Sequence, residues 1–395
     1  MNSSFVPPSL AALPLPASLD ALKGLLVAGE TAFLVPFSMA LGWPIMLLVA
    51  EVLGRTRGDT SLRRLAAWLA RRIPGAIAFA IILGMLPFYV GNLLYGFAVM
   101  PAAQHMAWYV VGAVPVLFLG YAASWWVALR RRGSEPSTLR PFLPDIVESY
   151  LLAFRRRGLE RPGLIMTLFT VPAMLALGFV LAAHSVLMLR PELWGPVAGV
   201  PSGVLLPVHE PQFIPFLLHM FLTAMGISGF MVAWHGADRM ADGEMAYGGS
   251  ALVFGGMWFT VSFGFQAFAG PWFVLSLPQE LSRQFLGGVF SSSAIFWTGM
   301  AAGFLALALV GFAMFSPEPR TFIWMAAGLV VCNLVSMVIS HQCAREAVLD
   351  ELLGLGTRSV DPQKGMFLLF AIVLVLATAA ISWMIWVTSR VQKPQ

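Results

Sequence analysis

What this chain can fold into is set first by its apolar runs, which are long enough to cross a bilayer and recur from near one end to the other. A membrane helix needs about 20 mainly apolar residues, and nine stretches meet that length, at approximately 25–53, 75–99, 106–128, 164–188, 212–236, 249–277, 293–315, 320–341 and 366–388. In lipid every backbone N–H and C=O must be satisfied internally, so such runs become helices. Prolines inside several of them (Pro36, Pro44, Pro87, Pro115, Pro172) are tolerable there, because neighbouring helices satisfy the freed backbone groups. Hydrophobic residues make up 58% of the chain and charged ones 11%, against about a quarter charged in soluble domains. The expected class is therefore an all-α, multi-pass integral membrane protein, a single polytopic domain over residues 1–395 with nine transmembrane helices. The stretch before the first run is proline-rich and has no basic n-region, so no cleaved signal peptide is expected.

Basic residues orient the helices. With the N-terminus outside, the inner loops hold six arginines in 54–74, eight in 129–163, and Arg239, Arg320, Arg390 and Lys393. The outer segments hold only Lys23, Arg190, Arg283, Arg345, Arg358 and Lys364. This bias predicts an N-out, C-in topology. It also explains the net charge of +5 without a nucleic-acid partner; the partner it implies is membrane lipid. The inner loop 129–163 reads as a solvated basic segment with a short helix around 144–154, and the outer loop 189–211 as a Gly/Pro-rich cover over helix ends.

In this topology five of the six histidines (His105, His184, His209, His219 and His341) fall on the outer side, together with Glu30. His219 opens the run 213–237, in which Thr223, Gly226 and Gly229 leave one side of the helix low, a surface suited to a flat cofactor. A ligand-capable side chain at membrane depth is costly and usually functional; its alternative is an interhelical hydrogen bond. His235, 16 residues on, is about 24 Å along the helix and roughly 160° around it, and beside Asp238 and Arg239 it reads as an inner-surface residue. Cys332 and Cys343 would lie roughly 16 Å apart on one helix, too far for a disulfide. No CxxCH, Walker A, HExxH or CxxC spacing occurs.

Span seven also enters from outside, and Met300 lies about as far below its outer boundary as His219 does in span five, with Gly299 and Gly303 beside it. A His/Met pair on facing helices would make a six-coordinate, low-spin haem whose potential the thioether raises. The alternative for Met300 is a core gap-filler, one of 21 methionines.

The segments HMFLTAMGISGFMVA and FWTGMAAGFLALALVGF, with FLVPFSMALGWPIMLLVAE in span one, resemble the haem-ligand helices and first helix of cytochrome bd oxidase subunit I. The resemblance implies that family's nine-helix bundle in a bacterial inner membrane, with a low-spin haem b held by His219 and Met300 near the outer face. It also implies partner subunits (a subunit II-like chain or a c-type cytochrome) and a quinone, in its reduced quinol form, among the partners for electron exchange.

The sequence departs from that pattern. Thr31, beside Glu30, stands where the family's first helix has a histidine, and span three has no acidic residue. ISHQCARE replaces the family's glutamate and its following motif in span eight, with His341 near the glutamate position. The long quinol loop between spans six and seven is reduced to 278–292. Reducing oxygen consumes protons and needs acidic relays, yet Glu30 and Glu51 are the only carboxylates within the spans. The expectation is an electron-transfer subunit holding at least one haem b, with His341 and Glu30 as weaker cofactor-binding candidates that leave room for a second haem. The alternatives are a haem-free scaffold or transporter subunit and a divergent terminal quinol oxidase.

Overall fold

The computed structural model describes residues 14–130, 162–193, 202–365 and parts of 368–379. Eight helices in them are long and apolar enough to cross a membrane: α1 (Leu19–Thr56), α2 (Thr60–His105), α3 (Ala107–Arg130), α4 (Pro162–Met188), α5 (Phe213–Ala241), α6 (Met245–Ser276), α7 (Phe290–Phe315) and α8 (Pro319–Arg345). The chain is a multi-pass membrane protein. Among the described residues there is no strand, only an isolated parallel bridge between Leu15 and Val360. The ninth expected span, 366–388, lies mostly outside these residues, and the short helix expected around 144–154 lies wholly outside them.

One boundary differs instructively. The stretch 54–74 reads as a basic loop, but most of it is the first part of α2, whose 46 residues run on to a kink at Tyr95 and beyond it to His105. Asp59 starts that helix by accepting the backbone N–H groups of Ser61 and Leu62 at 2.8 and 3.1 Å, which satisfies donors a helix start otherwise leaves open. Leu62, Leu65, Ala66, Leu69, Ala70 and Ile73 then recur at helical spacing and are all buried. Arginines end a hydropathy window without ending a helix.

Neighbouring helices pack in pairs, α5 with α6, α1 with α2, α7 with α8 and α3 with α4, while α1 also touches α4, α5 and α8. The α5–α6 hairpin is closed by glycines. The connecting turn places Gly243 at φ 89°, a left-handed conformation that glycine adopts without strain. Above it the two backbones meet directly. A Cβ on Gly236 would lie 2.2 Å from the Leu252 nitrogen, and one on Gly255 would lie 2.3 Å from the Ala233 nitrogen. Small residues permit this approach, which compensates for the weak hydrophobic drive between helices in lipid. Gly236→Leu is therefore expected to force the hairpin apart and to destabilise the protein by at least about 3 kcal/mol, read as a lower unfolding midpoint in detergent.

At the end of the bundle carrying the C-terminus of α8, a polar network links three helices. Lys23 pairs with Asp350 at 2.5 Å and Glu346 at 3.2 Å. The Tyr95 hydroxyl donates to Asp350 at 3.3 Å, and the Gln342 amide donates to Tyr95 at 2.7 Å. Arg345 binds Glu30 at 2.7 Å. This network fixes the end of α8 against α1 and α2, and with it the depth of His341. Beside it, the described parts of 189–211 cover helix ends as expected: Leu205 donates its N–H to the His105 carbonyl at 2.8 Å, and Arg190 pairs with Glu192 and Glu210.

Candidate functional site

Helices α5, α6, α7 and α8 line a partly open cleft whose free volume is about 110 Å3. His219 and Thr223 line it from α5, Gln266 and Phe273 from α6, Met300 from α7, and Asn333, Met337 and His341 from α8. The three candidates His219, Met300 and His341 thus share one space. His219 is near the start of α5, and His341 is near the end of the antiparallel α8, so opposite ends of two sequences reach the same level.

The imidazoles of His219 and His341 have ring centres 6.2 Å apart. Phe273 stacks on His341 at 5.7 Å and 17°, and Phe216 packs at 5.4 Å. His219 Nε2 faces the Met337 sulfur at 3.1 Å. Its Nδ1 meets the Gln266 amide nitrogen at 2.5 Å, and that nitrogen also donates to the Thr223 hydroxyl at 3.0 Å. The Gln266 side-chain oxygen is buried without a hydrogen-bond partner. Gly270 is on the same wall; a Cβ there would lie 3.8 Å from His219 Nδ1.

The glycines expected to form a bare floor divide into two kinds. Gly226 lines the cavity with only Ser262 near its missing Cβ, at 3.7 Å, whereas Gly229 is covered by α6 backbone, 2.6 Å from the Phe259 nitrogen. Gly299 and Gly303 beside Met300 line the cavity, but they also admit neighbouring helices. Ser336 and Phe263 would stand 2.7 and 2.2 Å from Cβ atoms there, and Asn333 donates to the Gly299 carbonyl at 2.8 Å. Close helix packing uses much of the space that the small residues leave.

The other expected ligands lie elsewhere. Glu30 does not line the cleft and is engaged by Arg345. Thr31 donates to its own helix at the Val27 carbonyl, 2.8 Å away. His184 bonds the Val99 carbonyl at 3.1 Å, His105 is buried between helix ends and His209 is exposed. His235 is more enclosed than a surface residue: it stacks on Trp68 at 4.1 Å and reaches the Tyr247 hydroxyl at 3.0 Å. Both cysteines are free.

The short connection between α6 and α7 also belongs to the site. It forms one helical turn, Gln279–Arg283, then a wider turn over Gln284–Gly288. Leu281 and Phe285 are buried with Val274, Leu277 and Ala344, and Leu277 and Phe285 line the cavity. The segment is short, yet it contributes to the wall of the cleft. Sequence reasoning missed Gln266, Asn333 and Met337. For the two amides a signal was present, since each is a polar side chain in the middle of an apolar run.

The chain's architecture can be compared with known proteins on this basis. It is similar throughout to a chain of the bd oxidase from Geobacillus thermodenitrificans, with a TM-score of 0.67 over 94% of this chain and 98% of that one. The fold is bd oxidase-like. At 14% identity the likeness concerns the fold alone. No protein-family model matches the sequence, and no curated protein matches it.

The donor set suits a haem. Two axial ligands suffice for that group, so it does not require the cluster of three or more His, Cys, Asp or Glu side chains that is lacking among the described residues. Imidazoles and thioethers on facing helices are its usual ligands. As it stands the cleft's free volume, about 110 Å3, is smaller than the roughly 150 Å3 that accepts a benzene, so a haem would enter only with movement of lining side chains. What fills the remainder is flexible: Met300 and Met337 are unbranched and repack easily.

Proposed function

We propose that this protein is a haem b-binding electron-transfer subunit of a respiratory complex in a bacterial inner membrane. In this reading His219 from α5 and Met300 from α7 would hold the haem iron. The observation that carries it is the convergence of His219, Met300 and His341 on one cleft within a bd oxidase-like fold. A haem bound there supplies a one-electron carrier. The protein's own residues would hold and shield it: the imidazole and thioether would be its ligands, while Phe273 and Phe216 pack against His341 and Phe285 forms part of the wall. Electrons would be exchanged at the outer face with a quinol, a c-type cytochrome or a partner subunit related to subunit II.

Electron transfer fits better than oxygen reduction because both carboxylates within the spans are engaged. Glu30 pairs with Arg345 and Glu51 with Arg55 at 2.6 Å, which leaves neither poised as a proton relay beside the cleft. A His341-bound second haem would have to share the cleft that contains His219, so a single haem is the simpler arrangement.

A haem-free scaffold or transporter is the second reading, favoured by one observation: both nitrogens of His219 already have partners, in Gln266 and Met337. Extraction and quantitation of haem from the purified full-length protein separates the two. The first reading expects at least one haem b per chain, and the second expects none.

A further inference from the structure

We infer that Gln266 is the positioning residue for His219, accepting its Nδ1 proton when Nε2 is turned to a haem iron. This rests on the haem reading above and goes beyond it by assigning a function to a residue on α6. An imidazole that ligates through Nε2 must carry its proton on Nδ1, and that N–H needs an acceptor. The polar group at Nδ1 is the Gln266 amide, 2.5 Å away. Gly270 keeps the approach clear, since no side chain projects from its position toward the same nitrogen.

The amide is placed to serve either state of the site. With its nitrogen toward His219 it donates to Nδ1 and to Thr223, leaving Nε2 protonated against the weakly accepting Met337 sulfur. In this state the Gln266 oxygen is buried with no donor. Ligation creates the donor that the oxygen lacks. A half-turn of the amide brings its oxygen to Nδ1–H, and the Thr223 hydroxyl, which both donates and accepts, turns with it. Met337 leaves the Nε2 position, as an unbranched side chain can. Gln266 thus couples binding to tautomer: a neutral amide accepts from the ligated imidazole without adding a charge at depth.

The test uses the full-length protein in detergent, depleted of any haem, titrated with hemin and then poised electrochemically, for wild type, Gln266→Leu and Gln266→Glu. Leucine keeps the bulk and removes the acceptor. It should weaken hemin binding by roughly 10- to 100-fold, the usual effect of losing an outer-shell partner. It should also raise the midpoint potential, because a less basic imidazole stabilises ferric iron less. Glutamate is the stronger acceptor; it should retain binding and lower the potential below that of wild type. Loss of packing alone moves affinity without this opposed pair of potential shifts. Wild type and Gln266→Leu with equal affinity and equal potential would overturn the inference while leaving haem binding intact. If Gln266→Leu does not fold, an unchanged potential in Gln266→Glu overturns it alone. A wild-type chain that carries no haem as purified and takes up no hemin overturns both this inference and the haem reading.

Discussion

His219→Ala is expected to abolish haem binding completely while leaving a folded protein. The imidazole projects into the cleft rather than into a helix crossing, since the backbone contacts that hold α5 against α6 are made further along, at Gly229 and Gly236. Its removal leaves the Gln266 amide and the Met337 thioether without their shared partner. The cost of such unsatisfied groups is about 1–3 kcal/mol, less than the overlap expected for Gly236→Leu. In the proposed reading a haem iron, in contrast, would lose the ligand common to the His/Met and His/His arrangements. Haem content measured on purified protein should fall from at least one per chain to none, with helical circular dichroism retained. A variant that keeps its full haem content would remove His219 from the site.

Met300→Leu is expected to leave haem bound and to lower its midpoint potential. Leucine matches methionine closely in volume, so packing changes little, and what disappears is the sulfur. A thioether ligand raises a haem potential relative to imidazole alone, so its loss shifts the potential downward and frees a coordination position for added carbon monoxide. Redox titration followed at the b-type band measures the first effect, and carbon monoxide binding measures the second. His341 makes the comparison sharp. Its ring centre is 6.2 Å from that of His219, and an iron held between two imidazoles with bonds of about 2 Å would need a similar separation. If Met300→Leu changes nothing and His341→Ala alters the spectrum, the second ligand belongs to α8.

Much of the architecture was legible in the sequence because lipid permits so few solutions. Eight apolar runs became eight helices, with boundaries moved mainly where arginines interrupt hydropathy without interrupting hydrogen bonding, as in α2. The site was legible in part. His219 and Met300 could be assigned a matching depth from helix direction, and His341 the same outer side, and all three line one cleft in the structure. Which residues touch within that cleft depends on helix rotation, and rotation leaves little trace in helices apolar on every face. Gly229 illustrates this: it looks like part of the cofactor floor, yet faces the backbone of α6. Glu30 sits at the right depth but is turned to Arg345. Gln266 and Met337, whose roles follow only from contact with His219, became visible once the four helices were placed together.

The most direct test of the central claim is a dithionite-reduced minus air-oxidised optical spectrum of the intact purified protein. The account predicts a b-type α-band at a stoichiometry of at least one haem per chain. A protein with no visible absorption in either state would contradict it.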